Sequence, residues 1–120
     1  MLSKEEKELL LKDLCARLPY GVKMSVNDKV EVLQGINTVD NIVEYSSFLA
    51  SEIEDCKPYL FPLSSMTEEQ EKEYNDLNCY ELGCFPHSEE ALDYLTKNHF
   101  DYRYLIEKGL AIDATSLNIY

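Results

Sequence analysis

The sequence predicts an α+β fold: an N-terminal helix, a small antiparallel sheet of three to five short strands, open or curled toward a barrel, then two or three short C-terminal helices. Three observations carry this. A helical period opens the chain behind the capping box of Ser3 and Glu6. From Val22 the apolar period changes to two, the spacing of a half-buried strand. A second capping box, Thr67 with Gln70, returns the chain to helix, so helices and strands are segregated rather than alternating.

The first helix is expected to run to about Leu18. Leu11, Leu14, Cys15 and Leu18 fall at i, i+3, i+4 and i+7, with Leu10 widening the stripe. Pro19-Tyr20-Gly21 stops it. In "VKMSVNDKVEV", Val22, Met24 and Val26 alternate with polar residues, as do Val30 and Val32 beyond Asn27-Asp28. This predicts a hairpin that buries both sets on one face. One or two further strands are expected between Thr38 and Ile53, where β-branched and aromatic residues continue.

"CKPYLFPLSS" is more constrained. Pro58 and Pro62 share parity, so in a strand both missing N–H groups point to one side, while residues 57, 59 and 61 can pair on the other. That pattern predicts an edge strand. The second capping box opens an acidic helix, "EEQEKEYNDL", and Ser88 can cap "EEALDYLTKN", with Leu92 and Leu95 facing inward. A last helix of barely two turns is expected after Asp101, its N-cap, with Phe100 and Leu105 as a hydrophobic staple. Gly109 and Leu110 suit a Schellman ending against Leu105, and Glu107 is the local partner expected for Arg103.

No repeat or linker divides the 120 residues, so a single domain over 1–120 is expected. The charged start and the lack of any long apolar run point to a cytoplasmic protein that does not enter the membrane. The balance is acidic, 23 carboxylates against 11 lysines and arginines, with eight acids and two lysines in residues 51–76. Without a basic stripe, direct binding to a nucleic-acid backbone is not expected.

Catalytic signatures are missing: there is no P-loop, GxGxxG or GxSxG, and the four glycines leave little material to cradle phosphate. Neither an enzyme nor a cofactor is expected. Cys79, Cys84 and His87 form a C-x4-C-x2-H arrangement that could hold zinc with Cys56 or His99 as a fourth ligand. Paired ligands from two tight knuckles are lacking, and free thiols are the simpler reading. Nine tyrosines favour contact surfaces. The residues singled out for contact are His99, Tyr102, Arg103 and Tyr104, with Tyr59 on the proline-marked strand.

"LLLKDLCARLPYGVK" (9–23), "CKPYLFPLSSMTEEQ" (56–70) and "NHFDYRYLIEKGLAID" (98–113) resemble segments of uncharacterised small acidic proteins encoded by bacterial prophages and mobile elements. The resemblance implies an accessory role and supplies no activity, ligand or catalytic residue. The function expected is therefore a non-enzymatic interaction protein, acting on a protein partner or on itself, with a homodimer in view. The alternative is an acidic mimic of nucleic acid that inhibits a DNA-binding protein; a small zinc-binding protein is the remote one.

Overall fold

The structure is a computed structural model that describes residues 2–77 and 89–120. Helix α1 (Lys4–Arg17) begins as expected: Ser3 Oγ accepts from the Glu6 N–H, and the Glu6 carboxylate accepts from the Ser3 N–H. A short 3-10 turn, Leu18–Tyr20, follows, and Gly21 at φ 62° leaves the helix in the left-handed conformation glycine tolerates.

Strands β1 (Lys23–Val26) and β2 (Lys29–Asn37) form the predicted hairpin, with Asn27 and Asp28 both at positive φ, a type I′ turn. The two-residue turn fixes the register, Val26 opposite Lys29 and Met24 opposite Glu31. Directly opposed residues share a face. The core face bearing Met24 and Val26 therefore takes the odd residues of β2, and Leu33 is buried there. Val30 and Val32 pair with Ser25 and Lys23 on the other face, and Val30 is 48% exposed. The expectation that both valine sets share one face fails on this parity.

Strands β3 (Ile42–Tyr45) and β4 (Ala50–Glu52) extend the sheet antiparallel from β2. Strand β5 (Cys56–Pro62) pairs with β1 on one side, and two short strands, β6 (Phe100–Asp101) and β7 (Ile112–Asp113), lie parallel to β5. The order is β4-β3-β2-β1-β5-β6, with β7 also on β5. Seven strands among the described residues form a mixed sheet that is not closed into a barrel, where an antiparallel sheet of three to five was expected.

The proline strand is interior, not an edge. The Phe61 N–H donates to the His99 carbonyl (2.8 Å), while the Ala114 N–H donates to the Leu60 carbonyl (2.9 Å). These two groups of β5 belong to one trans peptide and point in opposite directions, so β6 and β7 lie on opposite sides of β5. The parity of the prolines holds; what it leaves unguarded is covered by β7, which needs only the groups that proline does not remove.

Helix α2 (Glu68–Leu77) opens with the predicted box, the Thr67 N–H on Gln70 Oε1 and the Gln70 N–H on Thr67 Oγ1. Helix α3 (Glu89–Lys97) buries Ala91 and Leu95, with Leu92 half-buried; Ser88, its expected cap, lies outside the described residues. The third C-terminal helix is not formed. Residues 102–109 are successive turns, because Phe100 and Asp101 are taken up as strand β6. The Schellman closure is present: the Leu110 N–H meets the Leu105 carbonyl, the Gly109 N–H meets the Ile106 carbonyl, and Gly109 has φ 75°. Leu105 and Leu110 join Leu10, Leu14, Met24, Tyr45 and Leu60 in one core. No helix among the described residues is long and apolar enough to cross a membrane.

Candidate functional site

The cluster singled out in 97–113 is divided by the fold into an inner fastening and an outer cleft. The fastening starts on α1, where Leu10, Asp13, Leu14 and Arg17 share the inward face and all are fully buried. Cys15, placed on that stripe by sequence, is exposed. Asp13 accepts from Arg17 Nε and from Arg103 Nη1, both at 2.7 Å, and Arg17 Nη2 donates to the Phe100 carbonyl at 2.6 Å. Tyr102 lies beside both guanidinium groups, 4.6 Å from Arg103 and 5.5 Å from Arg17. Arg103 thus reaches a partner 90 residues away rather than Glu107. Asp101, buried, accepts from the N–H groups of Leu105 and Ile106, two residues further on than a helix N-cap would.

His99 ends α3 in the left-handed conformation, φ 63°, where a glycine is usual. This reversal aims its carbonyl at Phe61 and lays its ring against Tyr120, centroids 3.9 Å apart and 13° from parallel. Burial, then the nearby charges of Arg17 and Lys23, holds the imidazole down at about 4, so it is neutral at pH 7. Tyr120 in turn bridges β1 and β5 where their ladder opens: its hydroxyl accepts from the Lys23 N–H (2.8 Å) and donates to the Tyr59 carbonyl (2.9 Å). Tyr59 is buried. Of the five residues expected to make contacts, only Tyr104, 54% exposed, stands on the surface; the other four are engaged inside or half-buried.

Neither metal nor thiol chemistry gathers among the described residues. No group of three His, Cys, Asp or Glu side chains could hold a cation there, and Cys79, Cys84 and His87 lie outside them. Cys56 is buried, its thiol 3.6 Å from the Ile53 carbonyl, and burial pushes its pKa up, away from a reactive thiolate.

The surface feature that sequence reasoning missed is the β3–β4 turn. The Phe48 N–H donates to the Tyr45 carbonyl and the Tyr45 N–H to the Leu49 carbonyl, a tight turn ending in a left-handed residue. That position asks for glycine, yet it holds Phe48 at φ 70° and 95% exposed. Beside it Leu49 is 51% exposed. The hairpin is pinned from within by a 2.7 Å hydrogen bond between the Tyr45 and Ser51 hydroxyls. Strand β4 ends the sheet order among the described residues. Since the Ile53 N–H and the Leu49 carbonyl meet the β2–β3 turn and β3, the backbone groups of Ala50 and Glu52 face the open side. At the far end of β4, next to Ile53, the β2–β3 turn presents Val39, 89% exposed. The free edge is therefore bracketed by apolar side chains.

No protein-family model, no curated protein and no solved structure matches the chain.

Proposed function

We propose that the chain is a non-enzymatic accessory protein of the phage or mobile-element kind, acting in the cytoplasm through protein contacts, the first of them self-association along the free edge of β4. The observation that carries this reading is Phe48. A bulky side chain held left-handed costs about 1–2 kcal/mol. With 95% of its surface in water, Phe48 gains nothing from its own fold to offset that. A contact with another chain would.

The edge fits a second copy. Antiparallel pairing about a twofold axis at Ser51 sets Ala50 opposite the Glu52 of the other copy and lets the outward N–H and C=O groups pair. Phe48 and Leu49, at one end of β4, then fall beside Val39 of the other copy, which stands at the opposite end.

Each chain carries a net charge of −12, so repulsion opposes the pairing and salt should strengthen it. The nucleic-acid-mimic alternative requires the reverse, a contact with a basic protein that salt weakens. Sedimentation velocity at about 100 µM protein in about 50 and 500 mM salt separates the two. The expected result is a dimer favoured by salt and abolished by Phe48→Asp. A strict monomer at both salt concentrations would sink the self-association reading.

A further inference from the structure

Tyr120 is held as a ligand is held. Its hydroxyl accepts from the Lys23 N–H and donates to the Tyr59 carbonyl, standing between β1 and β5 where their ladder opens. Its ring is stacked on His99, with Phe61 tilted against it at 5.6 Å and the Lys23 ammonium 5.5 Å from its centroid. One residue earlier, the Ile119 carbonyl accepts from Lys23 Nζ at 2.6 Å. The seat thus reads three features of one dipeptide: a flat ring, a hydroxyl that both accepts and donates, and the preceding main-chain carbonyl. Burial pushes the phenol up to about 12, so it keeps the proton that it donates.

The walls of the seat are fixed by other segments. Lys23 and Tyr59 adjoin a ladder registered by Met24 opposite Pro58 and Ser25 opposite Lys57. His99 is set by its left-handed turn at the end of α3, and its carbonyl holds the Phe61 N–H. The tail that delivers Tyr120 is lightly tied between its ends. Ala114 is fixed on Leu60, but Thr115, Ser116, Leu117 and Asn118 are exposed. Thr115 and Leu117 bond back within the tail, to Asp113 and Ala114, and Asn118 is left-handed at φ 51°. Lifting the tail costs these four residues little burial, yet it leaves the Lys23 N–H and the Tyr59 carbonyl without the phenol they share. A second phenol restores both bonds.

Ring and hydroxyl, rather than charge, do the selecting, because Arg17, Arg103 and Lys23 are offset by Asp13, Asp101 and Asp113 nearby. The way in is a cleft of about 390 Å³, lined by Tyr120 and His99 and opening past Ser65, Gln70 and Lys97. That volume is enough for an aromatic side chain.

We infer that the seat of Tyr120 is a recognition site for a tyrosine of another polypeptide, with the chain's own tail as its displaceable plug. The tail of a copy paired along β4 does not reach it. Strand β4 lies four strands from β5, which puts the two seats of such a pair about eight strand spacings, about 38 Å, apart. The six residues beyond Ala114 span about 20 Å at full extension. The occupant is therefore an extended segment of a different partner, and its binding does not require the pairing proposed at β4.

The test uses the full chain carrying Tyr120→Ala, with N-acetyl-L-tyrosinamide as the probe, its acetyl carbonyl standing for that of Ile119. The amide resonances of Lys23, Phe61 and His99 should shift saturably with a Kd of about 1–10 mM, the strength expected of so small a ligand. The wild-type chain, whose tail competes from within, should bind at least about tenfold more weakly. N-acetyl-L-phenylalaninamide leaves the two backbone groups unpaired and should bind the variant at least about tenfold more weakly than the tyrosine probe. p-Cresol keeps the ring and hydroxyl without the carbonyl, and should be at least about threefold weaker. Non-saturating shifts in the folded variant, or equal binding by the wild type, the phenylalanine probe or p-cresol, would each overturn the assignment. A Tyr120→Ala chain that fails to fold would overturn it too, since the tail would then be core rather than plug.

Discussion

Replacing Asp13 with Asn tests how the C-terminal half is attached to the first helix. The Asp13 carboxylate is fully buried and accepts two charge-assisted hydrogen bonds at 2.7 Å, from Arg17 Nε and Arg103 Nη1. The bond to Arg17, itself without exposed surface, is worth about 1.5–3 kcal/mol. The bond to Arg103, whose side chain is 18% exposed, is worth nearer 1 kcal/mol because solvent screens it. Arg17 also has one nitrogen, Nη1, with no hydrogen-bond partner among the described residues, so it has no second counter-charge to fall back on. The sum, about 2.5–4 kcal/mol, overlaps the roughly 3–5 kcal/mol cost of stranding one member of a buried pair. With a urea m-value near 1.5 kcal/mol/M, the midpoint should fall by about 2 M. The double variant Asp13→Leu/Arg17→Met should recover much of this, since it removes the ion that needed compensation. A midpoint shift below about 0.5 M for Asp13→Asn, or a double variant as unstable as the sum of its singles, would refute the reasoning.

Three further outcomes follow from the same geometry. Leu105→Ala should cost about 2–5 kcal/mol in urea unfolding, because Leu105 is fully buried in the main core; Gly109→Ala should cost only about 1 kcal/mol, since nothing lies within 4 Å of an added Cβ and the penalty is its φ of 75° alone. The imidazole of His99, held at about 4 against about 6.5 in the unfolded chain, is a depressed base. Its contribution is therefore complete above pH 6.5 and lost as pH falls from 6.5 through 4; NMR titration should show the ring still neutral at pH 5, and an ordinary titration near 6.5 would contradict its burial. Phe48→Gly should leave the monomer as stable or up to about 1 kcal/mol more stable, by removing a bulky side chain from a left-handed position, yet should weaken association; a loss of more than 1 kcal/mol would show that Phe48 packs within its own chain.

What the sequence disclosed was what depends on near neighbours. Ser3 with Glu6, Thr67 with Gln70, and Gly109 with Leu110 each close a loop of six residues or fewer, and all three formed as expected. The fold class followed from the same signals. Hidden were the features that join distant segments. Asp13 and Arg17 stand in phase with Leu10 and Leu14, and that coincidence of charge with an apolar stripe was a readable sign of a buried pair. Arg103, 90 residues away, was not readable as its partner. The hairpin parity was present in the two-residue turn, since Val26 opposite Lys29 forces Val30 to the outer face. The interior place of the proline strand was not, because β7 is two residues long and carries no period. Of the contact residues picked by type, Tyr59 is buried, and His99, Tyr102 and Arg103 are half-buried against partners within the chain. Phe48, inside the span expected to hold one or two strands, became the surface candidate only once its φ was known.

The proposed self-association runs along the edge of β4, and amide hydrogen exchange reads that edge directly. The N–H groups of Ala50 and Glu52 face away from β3, whereas those of Ser51 and Ile53 face inward. Exchange should be followed from about 5 to 500 µM protein at high salt, where repulsion between chains is screened. Self-association along β4 predicts that Ala50 and Glu52 gain protection with concentration while Ser51 stays protected throughout, and that Phe48→Asp removes the gain. Exchange at Ala50 and Glu52 that is fast and independent of concentration would contradict it.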